Sequence, residues 1–186
     1  MTRYALLVRG INVGGKNKVV MAELRQELTE LGIEKVESYI NSGNIFFTST
    51  DSKVKLIERL ETFFGTRYPF IQSFSLLSQE DYEDELESLP AWWNEDLARK
   101  DVLFYTEGLD VEQVIEKVGS LKLEDEVLHF GKLGIFWGKF SEETYSKTAY
   151  HKDLLKMPFY RHITIRNAKT FDKIGQMLKN NKGDTQ

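Results

Sequence analysis

The chain has 186 residues, 41% hydrophobic and 12% aromatic, with a formal net charge of −4, enough to bury one sizeable core or two small ones without metals or disulfides. It contains no cysteine, which excludes thiol nucleophiles, disulfide frameworks, iron–sulfur clusters and cysteine-ligated zinc, and fits a reducing compartment. No window approaches about 18 consecutive apolar residues, and Met1-Thr2-Arg3-Tyr4 runs directly into a β-rich segment rather than a secretory leader, so the expectation is a cytoplasmic protein with no membrane partner.

Tyr4-Ala5-Leu6-Leu7-Val8 is an apolar run followed by glycines at 10, 14 and 15, which predicts a buried strand and then a loop. Met21, Leu24, Leu28 and Leu31 fall on one helical stripe, and Gly32 supplies the left-handed residue that ends such a helix. β-rich runs at 36–40 and 44–48 flank Asn41-Ser42-Gly43, a hairpin composition. A second helix is entered through Thr50-Asp51-Ser52, carries Leu56, Ile57, Leu60, Phe63 and Phe64, and stops at Gly65. Residues 70–77 then close the unit as a strand. The order βαββαβ predicts a ferredoxin-like unit, two helices on one face of a four-stranded antiparallel sheet.

Ser78 and Asp81 have the spacing of a capping box, so 79–89 reads as an acidic bridging helix ended by Pro90-Ala91-Trp92-Trp93. The same element order then recurs: a strand at 102–105, a helix carrying Val111, Val114, Ile115 and Val118, a hairpin at 126–137, a short helix at 151–156 and an alternating strand at 162–166. Phe171, Ile174, Met177 and Leu178 form a C-terminal helix. The fold class is therefore α+β, two tandem ferredoxin-like subdomains packed together. Residues 1–77 make the first, 78–100 the bridging helix and linker, 101–180 the second, and 181–186 a disordered tail. The Trp pair after a proline is too apolar for a solvated linker, so the halves should share an interface.

Charge is segregated along this order. Residues 1–20 carry four bases and no acid, 78–126 sixteen acids against four bases, and 145–186 nine bases against three acids. If the fold joins the two basic ends, they form an electropositive face suited to an anion. The loop Arg9-Gly10-Ile11-Asn12-Val13-Gly14-Gly15-Lys16-Asn17-Lys18 has the glycines that let backbone N–H groups converge and the cations to hold an anion there. It is not a nucleotide-hydrolase P-loop: Asn17 stands where Ser or Thr must bind magnesium, and the helical stripe begins only at Met21. A plain glycine-rich turn remains the alternative.

Ser42 and Asn44 offer neutral donors at a turn, Arg166 is a candidate carboxylate or phosphate clamp, Asn167 a helix N-cap, and Lys147 an anion contact. Ser146 and Lys147 are adjacent, which on a strand would place them on opposite faces, against a Ser/Lys dyad. His129, His151 and His162 lack metal-ligand spacing, so neither a metal nor another cofactor is expected. An RNA-recognition reading fails on the third strand, where Asn44 occupies an aromatic stacking position.

The runs Leu7-Val8-Arg9-Gly10-Ile11-Asn12-Val13-Gly14-Gly15-Lys16-Asn17, Tyr39-Ile40-Asn41-Ser42-Gly43-Asn44 and Thr164-Ile165-Arg166-Asn167 together resemble the bacterial domain-of-unknown-function family numbered 1697. The resemblance implies two α+β subdomains and no particular reaction, cofactor or substrate. Its motif residues fall on Arg9, Gly10, Asn12, Gly14, Gly15, Ser42, Gly43, Asn44, Lys147, Arg166 and Asn167. With Lys16, they make the expected ligand-binding set for a phosphorylated small molecule or nucleotide, held between loop 9–18 and the basic C-terminal segment. Two other readings stay open. One is a phosphate-ester or acyl-phosphate hydrolase, by analogy of fold; the other is a sequence-tolerant nucleic-acid binder. Oligomeric state is not legible.

Overall fold

The computed structural model describes residues 1–180; the tail assigned to 181–186 lies outside them. Its first four-stranded antiparallel sheet contains β1 (Thr2–Val8), β2 (Glu34–Tyr39), β3 (Asn44–Ser49) and β4 (Phe74–Ser78) in the order β2-β3-β1-β4, with α1 (Met21–Glu30) and α2 (Lys53–Arg67) as connections. Helix α3 (Gln79–Ser88) leads to the second sheet. There β5 (Arg99–Tyr105), β6 (Glu126–Phe130), β7 (Gly134–Lys139) and β8 (Ile163–Asn167) stand as β6-β7-β5-β8, with α4 (Val111–Gly119) and the short α5 (Ala149–Lys152) between strands and α6 (Ala168–Lys179) after them. No helix among the described residues is long and apolar enough to cross a membrane.

Strand periodicity explains the layering. Tyr4, Leu6 and Val8 of β1 point into a core with Leu24, Leu28, Leu56 and Leu60 of the helices, while Ala5 and Leu7 point the other way. That second face joins Phe104, Phe136, Trp93 and Phe171 in a core common to both sheets. β1 is thus buried on both faces, which is why its sequence is nearly continuous in apolar residues. The expected interface between the halves is this shared core. Trp93, on a single helical turn at Ala91–Asn94, packs edge-on against Phe136 (4.9 Å) and Phe171 (5.7 Å), and Tyr82 Oη donates to Phe171 O at 3.0 Å. The free edge of β4 is covered as well: Glu107 N donates to Phe74 O (2.9 Å), and Leu76 N donates to the Glu107 carboxylate (3.3 Å).

Several boundaries differ from the sequence expectation, among them β5, which begins at Arg99 rather than at 102, and β2, which runs Glu34–Tyr39 rather than 36–40. Helix α2 continues through Gly65 to Arg67, because Gly65 faces open space and helical N–H bonding persists to Tyr68. β4 begins at Phe74 rather than at 70, since the chain turns at Tyr68, whose carbonyl accepts from Ile71 N at 2.8 Å. The short helix begins at Ala149 because the buried Glu126 carboxylate accepts from Ala149 N (2.7 Å) and Tyr150 N (3.1 Å). Only single turns follow at Leu154–Lys156 and Pro158–His162, where Pro158 lacks the N–H needed to continue. The capping box at Ser78 and Asp81 forms as its spacing requires.

Glu85 shows what acidic patterning conceals. It lies fully buried on α3, where its carboxylate accepts from Lys132 N (3.1 Å), Leu133 N and Ser88 Oγ (3.2 Å) and so anchors the β6–β7 hairpin to the bridging helix. Replacing Glu85 by Ala leaves two backbone N–H groups without partners and should cost about 2–5 kcal/mol. Urea denaturation measures the loss, and amide exchange should accelerate first at Lys132 and Leu133.

Candidate functional site

Residues 9–18 leave β1 as a small flap. Asn12 N donates to Asn17 O and Lys16 N to Val13 O, each at 3.1 Å, so Gly14 and Gly15 (φ 59° and 73°) form the corners of a tight turn. Two successive positive φ values are what such a turn requires, and glycine supplies them without strain. Asn12 staples the base of the flap: Nδ2 donates to Val19 O (3.0 Å) and Asn41 O (2.9 Å), and Oδ1 accepts from Val19 N (2.8 Å). Lys16 and Lys18 are exposed on the flap, as are Gly10 and Asn17, and Asn17 Nδ2 donates to Gly10 O at 3.0 Å.

At the base of the flap lies a buried guanidinium. Arg166 Nε donates to Asn44 Oδ1 (2.6 Å), Nη1 to Ile165 O (2.9 Å), and Nη2 to Val8 O (2.9 Å), Ser42 O (3.0 Å) and Gly43 O (3.3 Å). Asn44, fully buried, is itself held by donation to Tyr39 O (3.1 Å) and Ser42 Oγ (3.2 Å). The turn at 42–44 and Arg166, expected as separate ligand contacts, therefore form one clamp between the sheets. Burial first, and then the charge of Arg9, pull Arg166 down to about 10. Asn167 caps α6 by accepting from Thr170 N at 2.9 Å, and Lys147 is exposed on a single turn at Tyr145–Lys147.

Arg9 bridges the halves differently. Its Nη1 donates to Ile163 O (2.8 Å), and its guanidinium lies 4.7 Å from the Tyr160 ring centroid. It lines a cavity of about 190 Å³ with Gly10 and Asn17 of the flap, Phe70, Gln72 and Ser73 before β4, and Arg161 before β8. The two basic ends of the chain meet here. Among the described residues, neither Arg9, Arg161 nor Arg166 has a carboxylate within ion-pair distance. Gln72 and Ser73 also line an adjoining crevice of about 440 Å³ that contains His162 and Glu107. Burial pushes the Glu107 carboxyl up, partly offset by Lys53 and by the Leu76 N–H.

A larger cavity, about 470 Å³, lies beside Leu31 and α2, but its Arg59 and Arg67 are paired with Asp51 and Glu27. Uncompensated charge, rather than volume, singles out the Arg9 cavity. Sequence patterning points to Arg9, Gly10 and the C-terminal basic block but not to Arg161, Phe70, Gln72 or Ser73. The last three fall where a strand was expected; Pro69, just before them, was the available sign that the chain turns.

The family model "Protein of unknown function (DUF1697)" matches residues 1–136. The chain is also similar in structure to the conserved bacterial protein SP0830 from Streptococcus pneumoniae, with a TM-score of 0.95 and 85% identity over 96% of this chain and 99% of that one. No curated protein matches. Lys147, Arg166 and Asn167 lie beyond the matched residues, so the weight of Arg166 rests on its geometry. Lysine has three donors on one atom and cannot reproduce the planar fork. Arg166→Lys should lower stability by about 2–4 kcal/mol in urea denaturation, whereas an unchanged midpoint would mean that the carbonyls of the clamp find other partners.

Proposed function

Since the chain belongs to the DUF1697 family, whose description assigns no activity, we propose from the geometry of its own site that it binds a phosphorylated small molecule or nucleotide. The phosphate sits in the cavity between the flap and the basic C-terminal segment. The observation that carries this reading is the meeting of Arg9 and Arg161, from opposite ends of the chain, in one cavity whose lining holds no carboxylate, neither arginine having one within ion-pair distance among the described residues. The buried charge of Arg166, close enough to Arg9 to be felt by it, adds to the local positive potential and favours an anion. Ligands of drug size occupy about 300–1,000 Å³. The 190 Å³ cavity therefore suits a phosphate group, and the 440 Å³ crevice sharing Gln72 and Ser73 suits the remainder of its bearer.

The framework for this reading is a pair of tandem ferredoxin-like subdomains, 1–77 and 101–180, in a cytoplasmic protein. It is supported by the repeated βαββαβ order and the equivalent strand orders of the two sheets. Gly14 and Gly15 shape the flap, and Lys16 is exposed on it.

Titration with inorganic phosphate and adenosine monophosphate, followed by amide NMR shifts or calorimetry, tests the site. Arg9→Ala and Arg161→Ala should each weaken binding by about 1.5–3 kcal/mol, roughly ten- to a hundredfold in Kd. A shallow salt dependence fits one phosphate. A steep slope on single-stranded nucleic acid, spanning many phosphates, would instead favour an extended nucleic-acid surface.

A further inference from the structure

We propose that Ser73 and His162 form a nucleophile–base pair that transfers the phosphoryl group of a phosphate monoester to Ser73 and then to water. The inference rests on the phosphate reading above and deepens it. Ser73 Oγ lies 3.0 Å from His162 Nδ1 although the two residues are 89 positions apart. Both line the 440 Å³ crevice, and Ser73 also lines the Arg9–Arg161 cavity. The hydroxyl therefore stands where the phosphate cavity opens into the crevice, with the imidazole on the crevice side. This is hydrogen-bond reach for an activated serine.

The backbone around the base is fixed from two sides. Thr106 Oγ1, buried, donates to His162 O at 2.5 Å, and Arg9 Nη1 donates to the next carbonyl, Ile163 O, at 2.8 Å. Ser73 is placed just as firmly, because Phe74 pairs with Val8 in the sheet and accepts from Glu107 N. Arg9 is thus both an anion contact and a support for the strand that carries the base.

In the reactive tautomer His162 carries its proton on Nε2 and accepts the Ser73 proton at Nδ1. As the Oγ–P bond forms, the bond from phosphorus to the ester oxygen breaks, and the departing alkoxide takes the proton from Nδ1. A water molecule then attacks phosphorus while its proton passes to His162. The Oγ–P bond breaks, and Ser73 recovers that proton. The balance is monoester plus water to alcohol plus inorganic phosphate, with Arg9 and Arg161 holding the non-bridging oxygens.

A neutral fluorophosphonate probes the pair without using the anion cavity: Ser73 Oγ displaces fluoride, and His162 takes the proton. Peptide mapping of the wild-type protein should find the adduct on Ser73. His162→Gln, which keeps a polar side chain at an exposed position, should slow labelling about a hundredfold or more, the scale of general-base assistance, with its thermal unfolding checked alongside. No adduct at Ser73, or an unchanged labelling rate in His162→Gln, would overturn the proposal. Phosphate binding is read separately. Phosphate bound through Arg9 and Arg161 with Ser73 unlabelled leaves the binding site and removes the pair; Ser73 labelled through His162 with no phosphate binding retains the pair and removes the anion cavity.

Discussion

A guanidinium taken out of water without a carboxylate must direct its N–H groups at neutral acceptors, and the chain has to bring enough of them to one point. Arg166 meets this condition where the end of β1, the turn before β3 and its own strand converge, accepted by four carbonyls and the Asn44 side chain. Convergence demands close backbone approach. Gly43 has φ +87°, and a Cβ there would stand 3.0 Å from Val8 Cβ and 3.2 Å from Val8 O, so a larger residue would push the turn away from β1 and spread the acceptors apart. Strand β8 of the second sheet is thereby seated on the first.

Another arginine that crosses the molecule, Arg3, makes an instructive contrast. Arg3, also buried, donates from Nε to Met177 O at 3.0 Å and pairs with Glu37, tying the start of β1 to α6 and β2. Its charge is cancelled by a carboxylate, so it acts as a neutral bolt. Arg166 has no such partner among the described residues, and its positive field persists toward Arg9, whose charge in turn disfavours its protonated form. The same contact that joins the sheets therefore keeps one end of the junction electropositive. An anion at Arg9 and Arg161 would relieve that repulsion, which links the stability of the clamp to occupancy of the cavity.

Buried charge elsewhere in the molecule is met in both ways, by neutral donors and by a counter-ion. Glu126, almost fully buried, accepts from Trp137 Nε1 (2.8 Å) and from Ala149 N (2.7 Å). Lys139, fully buried, meets Asp101 at 2.5 Å and stacks 3.5 Å from the Tyr150 ring centroid. Burial lowers the Lys139 ammonium from its ordinary range while Asp101 works against that shift. Lys139 is thus matched by a carboxylate, whereas Arg9, Arg161 and Arg166 have none within ion-pair distance among the described residues.

Local pattern determined much of this protein. Periods of two and of 3.6 residues, the Ser78–Asp81 box, the Asn167 cap and the paired β-rich runs were enough for the element order, because each depends on residues a few positions apart. The basic blocks at the two chain ends, and Arg9 and Arg166 within them, were visible for the same reason. What lay beyond local pattern was decided by contacts across long separations: Arg166 with Val8 over 158 positions and Ser73 with His162 over 89. Periodicity records which face of an element is apolar, not which carbonyl a buried guanidinium will find. Glu85 and Glu126 therefore sat unremarked in an acidic stretch, and Arg161 in a basic one. Only the packing of one sheet against the other separated the charges that are satisfied inside the molecule from those left open at its surface.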